Sequence, residues 1–448
     1  MYSEINCVQV ISYQTIKTNC PLSKKKGKTN LSTPSLSDFS HNSGTSLFFK
    51  LLKFPTKSAQ IFGYLPYQLV YTGDLTFSLK SVPFFLLLIH LSYSIFWKIL
   101  GEFFSINDIL QLVQNKTDET ISSRSSSSTE RFCEHLVTTL ILFVSTGIRL
   151  MTLLDARKVI EFNAKLAQIL ENLEKRNFEN VAKFVEKSAR HMKVCILIST
   201  GILFVPNAYF RVLQFCDFAK IWETGLLSRC EIVLYAIGAS IKNLTSISEA
   251  YYIFWIAAIA QGIQLGFFIF TENCTEINDG TDFERNLRDF QNLKSLLDTF
   301  NREFSRQIIL MLLCYSGIWV IDVFLLTNRA TAAYTADSPV LNGVAICVIC
   351  FVANNTIMIS VLPIVSTNLG DEARRAVETW GNYGMERYPL KLQMRLQGFL
   401  TVMMASPNGM LISPGNYFIL NKTTVTSIFG FLTTYVFVLM QFQGTEKT

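Results

Sequence analysis

Thr434, Tyr435, Gln441 and Phe442 lie in the last apolar run of the chain, Val425 to Phe442. The run is about 18 residues long and carries no charge, close to the ~20 residues of a membrane-spanning helix. On a wheel of about 100° per residue, Thr434, Val438, Gln441, Phe431, Phe442 and Tyr435 share one stripe about 120° wide. Val436, Phe437 and Met440 lie around the rest of the wheel, which is wholly apolar. An unpaired amide facing lipid costs several kcal/mol, so such a stripe meets either other helices or water. Thr434 and Gln441 then act as packing polars that hydrogen-bond to adjacent helices, or they line a water and ion path.

A second group of residues could hold a small organic molecule. Tyr251, Tyr252 and Trp255 open the fourth apolar run, and Trp319 falls at the same level on the fifth. Aromatic rings at a run's outer end form an interfacial belt, or stack on a ligand alongside a few polar groups. Asp322 is an acid inside an apolar run, read either as a functional site or as a carboxylate reaching the outer interface. Asn354 and Asn355 add donors and acceptors in the sixth run, where helix packing is the alternative. Cys347 and Cys350 have CxxC spacing, but no His or second pair accompanies them, so small apolar packing is the reading and no metal or cofactor is expected. Catalysis finds no support in the sequence. The four His residues are unpaired on any helix face, and no phosphate-cradling loop or nucleophile elbow occurs.

The elements that must position these residues are apolar runs. Half of the 448 residues are hydrophobic, 17% are charged, and the mean hydropathy is +0.30. Those values place the chain among multi-span membrane proteins. The reading is all-α, with seven transmembrane helices over about 82–100, 136–154, 194–213, 250–270, 308–326, 341–365 and 425–442. Residues 1–80 form a polar, partly disordered N-terminal region without a signal-peptide pattern. Amphipathic periodicity over 283–307, and the mixed segment 370–424, describe a helical anchor outside the bilayer. Pro407 and Pro414 exclude Phe399–Leu420 as a span. Lys and Arg settle the orientation: 28 fall on the side of the N-terminus and eight on the other. The N-terminus is therefore cytoplasmic and the C-terminus extracellular, the reverse of a G-protein-coupled receptor. The net charge of +6 follows from those loops and does not indicate nucleic acid. Outside, Asn115 and Asn243 head glycosylation sequons, and Cys216 and Cys230 could form a disulfide.

Thr434-Tyr435, five mostly apolar residues, then Gln441-Phe442, close to the C-terminus, resembles the signature of the insect-type gustatory receptor family. Ser413-Pro414-Gly415-Asn416-Tyr417-Phe418-Ile419-Leu420-Asn421 resembles that family's lead-in to its final helix. Ile61-Phe62-Gly63-Tyr64-Leu65-Pro66 is similar to its N-terminal Gly-x-x-Pro element. Lys422-Thr423-Thr424 departs from the usual basic-then-Ser-Leu helix start. The resemblance implies a plasma-membrane, multi-pass, ligand-gated cation channel opened by a small-molecule tastant. It implies a homotetramer, or a heterotetramer with related receptors, embedded in membrane lipid, with the seventh helices around a central pore. Carried over, Gln441 and Phe442 form the constriction, with Thr434, Val438 and Tyr435 lining the path below it. Ligand would bind in the outer half of spans two to six. An odorant receptor would share this pore chemistry. A G-protein-coupled receptor is opposed by the charge split, and a transporter by the lack of internal repeats.

Overall fold

The computed structural model describes residues 47–70, 74–103, 128–174, 178–224, 229–274, 280–336, 339–405 and 407–446. Helices dominate them. Chain order runs α1 (Leu47–Ile61), β1 (Tyr67–Leu69), β2 (Leu75–Phe77), α2 (Val82–Phe103), α3 (Ser128–Leu154), α4 (Ala156–Glu174) and α5 (Phe178–Thr224). Then come α6 (Arg229–Cys274), α7 (Gly280–Glu303), α8 (Ser305–Ala336), α9 (Pro339–Arg387), α10 (Leu390–Ala405), two short 3-10 turns, and α11 (Lys422–Glu446).

Each of the seven expected apolar runs falls inside one helix. Among the described residues, four stretches are long and apolar enough to cross a membrane: Ala250–Cys274, Ser305–Asn328, Ala345–Arg387 and Lys422–Phe442. Thr139–Leu154 with Ala156–Leu173 forms a further bent pair, turned by 70° at Asp155, and Val82–Tyr93 is a shorter apolar helix. α6 is the central helix. It packs against α1, α4, α5, α7 and α9, and 83% of its apolar stretch is buried, against 11% for α11. The chain therefore encloses most of the apolar stretch of one helix and leaves the last helix largely exposed.

Two features differ from the expected layout. The N-terminal 80 residues contain an ordered, docked element. Leu47, Phe48, Leu51, Leu52 and Ala59 bury one face of α1, because apolar residues recur there at helical spacing between the lysines. A three-residue antiparallel hairpin follows, Tyr67 opposite Phe77, so the fold is not helical throughout. Second, α9 runs unbroken for 49 residues through Pro363. At 1.5 Å per residue that is about 74 Å, more than twice a ~30 Å hydrocarbon core. The sixth run and the first part of the expected anchor are thus one rod. Its far end meets α7 and α10 around Trp380, which is fully buried. α10 ends at Ala405, before the Pro407 and Pro414 turns, in line with the exclusion of a span there.

Candidate functional site

α11 begins at a built cap. The Thr424 N–H donates to Asn421 Oδ1 at 2.8 Å, and the Asn421 N–H donates to Thr424 Oγ1 at 3.4 Å. This reciprocal pair satisfies donors that a helix start leaves open. Leu420 is fully buried, and the Lys422 N–H donates to Thr367 Oγ1 on α9 at 3.1 Å. The lead-in motif upstream is fastened by Asn301. That side chain accepts from the Ser413 N–H at 2.9 Å and donates to the Leu411 carbonyl at 3.3 Å. Gly415 and Asn416 turn the chain with φ of 58° and 62°. A cavity of about 350 Å³ opens beside this turn, lined by Lys294, Asp298, Asn301, Ser413 and Tyr417.

From that cap, α11 leans on α8 and α9 through Leu432 and Val436, both 6% exposed, with Ile428, Phe429 and Leu439 partly covered. These residues mark one face. The polar stripe lies about 140° around the helix from it. Thr434, Tyr435, Val438, Gln441 and Phe442 are all exposed on the subunit, Phe442 at 61%. The Thr434 hydroxyl turns back to the Gly430 carbonyl at 3.2 Å. Adjacent helices of the same chain therefore do not cover the stripe. Of the two readings of the stripe, packing of Thr434 and Gln441 on helices of the same subunit does not occur, because the apolar face, with its larger contact area, took the inward position.

The candidate ligand residues separate into two places. On α8 and α9 the structure joins four of them. Asn355 Nδ2 donates to Asp322 Oδ2 at 2.8 Å, and Trp319 Nε1 donates to Thr356 Oγ1 at 3.0 Å. Asn354 Oδ1 accepts from Ser199 Oγ of α5 at 2.7 Å. Three consecutive residues of α9 thus hold two neighbouring helices. Asp322, read as a buried site or as a carboxylate reaching the outer interface, is 7% exposed and lies six residues before the end of the apolar stretch Ser305–Asn328. Next along α5, Thr200 Oγ1 and the Tyr251 hydroxyl are 2.8 Å apart, which ties α5 to α6.

Tyr252 and Trp255 sit elsewhere. α6 starts at Arg229, 22 residues before Tyr251, while the apolar stretch of crossing length opens at Ala250. The Tyr252 hydroxyl donates to Gln307 Oε1 at 3.0 Å, and the Trp255 ring meets Phe304 at 6.1 Å. Gln307 stands about 18 Å below Trp319 along α8. Tyr252 and Trp255 are completely buried and pack the inner core, not the level of Trp319. Periodicity located the run correctly but could not see that the helix begins a long way before it.

A third cluster was not anticipated. Arg149 of α3 is fully buried. Its Nη2 donates to the Phe62 carbonyl at 3.2 Å, its Nη1 to the Ser145 carbonyl at 3.2 Å and to Ser145 Oγ, and its guanidinium carbon lies 4.1 Å from the centre of the Tyr64 ring. The Phe62 ring stacks on Tyr251 at 4.6 Å and 7°. In β1, the Tyr67 hydroxyl donates to the Thr152 carbonyl at 2.6 Å, and burial pushes its pKa well above the usual value. The signal in the sequence was a lone arginine in the run Leu136–Leu154, where a charge in an apolar stretch marks a partner. Contacts continue from Arg149 through Phe62 and Tyr251 to Thr200, one residue from Ser199 and its bond to Asn354. Tyr251→Phe keeps the ring stack and loses the hydroxyl. We expect a loss of about 1 kcal/mol, read as a lower melting midpoint of detergent-purified protein; an unchanged midpoint would separate Tyr251 from this network.

Cys347 is 1% exposed and both Cys347 and Cys350 are free thiols. Asn115 and the side chains of Asn243, Cys216 and Cys230 lie outside the described residues. No group of three or more metal-binding side chains occurs among the described residues.

Long apolar helices whose polar side chains are paired between helices, with a last helix exposed over most of its circumference, define a multi-pass membrane protein. The chain belongs to the family described as 7tm Chemosensory receptor, whose profile matches residues 52–446. Among solved structures it is similar to the insect olfactory receptor OR5 from Machilis hrabei in complex with eugenol. That likeness has a TM-score of 0.59 and 10% identity over 88% of this chain and 99% of that one. The same receptor described without eugenol matches at TM-score 0.56, again with 10% identity and the same coverage. No curated protein sequence matches the chain.

Proposed function

We propose that this chain is a gustatory receptor subunit, a non-selective cation channel opened by a small-molecule tastant. The observation that carries the reading is the stripe of α11, turned away from its own subunit. A Gln amide facing lipid is costly, so copies of the chain around a shared axis, or the water between them, receive that face. A tetramer places four Gln441 amides and four Phe442 rings at one constriction. The rings dewet the path when it is closed, and the amides offer dipoles to a passing cation when it is open. Thr434, Val438 and Tyr435 line the approach. The N-terminus is cytoplasmic, and the chain is plasma-membrane, with seven crossings.

Ligand acts where Trp319, Asp322, Asn354, Asn355 and Tyr251 tie α5, α6, α8 and α9 together. Phe429 of α11 lies against Trp319, ring centres 5.2 Å apart, so a ligand that shifts Trp319 reaches the pore helix directly. Only preferential binding to the open arrangement drives opening, and about 5.5 kcal/mol of preference takes it from 1:99 to 99:1. An odorant-type channel is the second reading, because OR5 is an olfactory receptor. The Thr434-Tyr435 and Gln441-Phe442 spacing favours the gustatory branch.

The test is current recording in a null cell with sugar and bitter-compound panels. Phe442→Ala is expected to raise resting current, and Gln441→Leu to alter cation selectivity, both with surface assembly intact. Normal currents from both variants would remove these residues from the gate, and currents abolished by G-protein inhibition would overturn the channel reading.

A further inference from the structure

We propose that the lysine face of α1 binds the phosphate-bearing headgroups of anionic phospholipid in the cytoplasmic leaflet. Lys50, Lys53 and Lys57 fall within about 60° of one another on the helix wheel, and all three are exposed. α1 contains no Asp or Glu. Lys193, reaching across from α5, sets its Nζ 5.7 Å from the Phe54 ring centre and adds a fourth ammonium group to this side. None of the four has a carboxylate at ion-pair distance among the described residues. Other cations of the neighbouring helices do find acids: Arg190 pairs with Glu186 at 3.0 Å and Lys158 with Glu303 at 3.6 Å.

The depth of α1 makes this more than a solvated face. Its opposite side is fastened to α6: a Cβ built on Gly262 would meet Phe48 Cε2 at 2.8 Å and Leu166 Cδ2 at 3.2 Å. Gly262 lies in the middle of Ala250–Cys274, an apolar stretch of crossing length. α1 is thus held against a helix that has the length to cross the bilayer. Its lysine stems lie along apolar surface and carry their ammonium groups toward polar surroundings. Ile61, 61% exposed, shares the lysine sector, and Leu79 and Val82 flank Lys80 at 64% and 69% exposed. Ammonium groups interleaved with open apolar side chains match the boundary between headgroup and acyl chain. Anionic lipid attracts each such lysine, so removing three weakens retention roughly a hundredfold.

The leaflet named here rests on the proposed cytoplasmic N-terminus; the headgroup binding itself does not. Purified full-length receptor is titrated with phosphatidylinositol bisphosphate, phosphatidylserine, phosphatidylcholine and soluble inositol trisphosphate, and bound lipid is counted by native mass spectrometry. The protein is expected to retain the two anionic lipids over phosphatidylcholine. Lys50→Gln/Lys53→Gln/Lys57→Gln should weaken both by roughly a hundredfold, while Lys50→Arg/Lys53→Arg/Lys57→Arg, which keeps charge and fold, retains them. Equal retention by the Gln variant, loss in the Arg variant, equal binding of soluble inositol trisphosphate, or a soluble acidic protein displacing the lipid would each overturn the proposal. An N-terminal tag stained in unpermeabilised cells would overturn the orientation while leaving lipid retention as measured.

Discussion

Gly63→Ala is expected to remove most of the folded receptor from the cell surface. Gly63 has φ of +68°, a region that costs an L-residue about 1–2 kcal/mol. Space is a second obstacle. A Cβ there would lie 2.7 Å from the Leu86 carbonyl oxygen and 2.7 Å from His90 Cδ2. The carbonyl belongs to the backbone of α2, so it cannot swing aside like the end of a flexible side chain. Moving Gly63 moves its neighbours, Phe62 with the carbonyl that receives Arg149 and Tyr64 beneath the guanidinium. The buried charge of Arg149 would then lose partners in an apolar surrounding, a named route to large destabilisation. We expect a total of about 3 kcal/mol or more, measured by surface biotinylation and by size-exclusion profiles after heating. Gly430→Ala is the control. Nothing lies within 4 Å of the Cβ it would add, and alanine is favoured over glycine inside a helix by about 1 kcal/mol. Wild-type surface levels and melting for Gly63→Ala would show that the turn tolerates a side chain and that the Arg149 clamp does not depend on it.

Trp380→Ala should cost about 3–5 kcal/mol, the range for truncating a buried Trp. Trp380 stands near the C-terminal end of α9, about 62 Å along the helix from its start at Pro339. Four rings surround it: Phe270 at 5.7 Å, Phe283 at 5.9 Å, Phe290 at 6.2 Å and Phe399 at 5.4 Å. They come from α6, α7 and α10, so one side chain holds four helices. Trp380→Phe keeps most of the contact and should fall well short of that loss. If copies assemble through this bundle, Trp380→Ala also lowers the oligomer fraction at a given detergent concentration. A melting midpoint equal to wild type in both variants would mean the aromatic cluster does not carry the bundle.

The apolar runs and the stripe on the last helix were legible in the sequence because both follow from local spacing. A run without charges must find an apolar setting whatever surrounds it, and a 3.6-residue period decides which side chains share a face. The same logic marked Pro407 and Pro414 as breaks that exclude a span. It did not extend to depth. Tyr251, Tyr252 and Trp255 head an apolar run, but the helix that carries them starts at Arg229, and polarity along the chain does not mark where a long helix leaves the membrane. It also passed over Arg149 and α1. An arginine in an apolar run has meaning only once its partners are known, and apart from Ser145 those partners, the Phe62 carbonyl and the Tyr64 ring, lie more than 80 positions away.

Sequence alone therefore determined the class of the protein, the helices and the faces on those helices, all set by interactions within a few residues. Tertiary structure alone decided which face turned inward. On α11, Leu432 and Val436 dock on α8 and α9, and the stripe with Gln441 is left outward, because apolar side chains interlock over a larger area than one amide and two hydroxyls can. The pairing of Asp322 with Asn355 and of Ser199 with Asn354 was likewise fixed by helix crossings. A buried polar group takes whichever partner the packing brings within 3 Å, and nothing in its own neighbourhood of sequence names that partner.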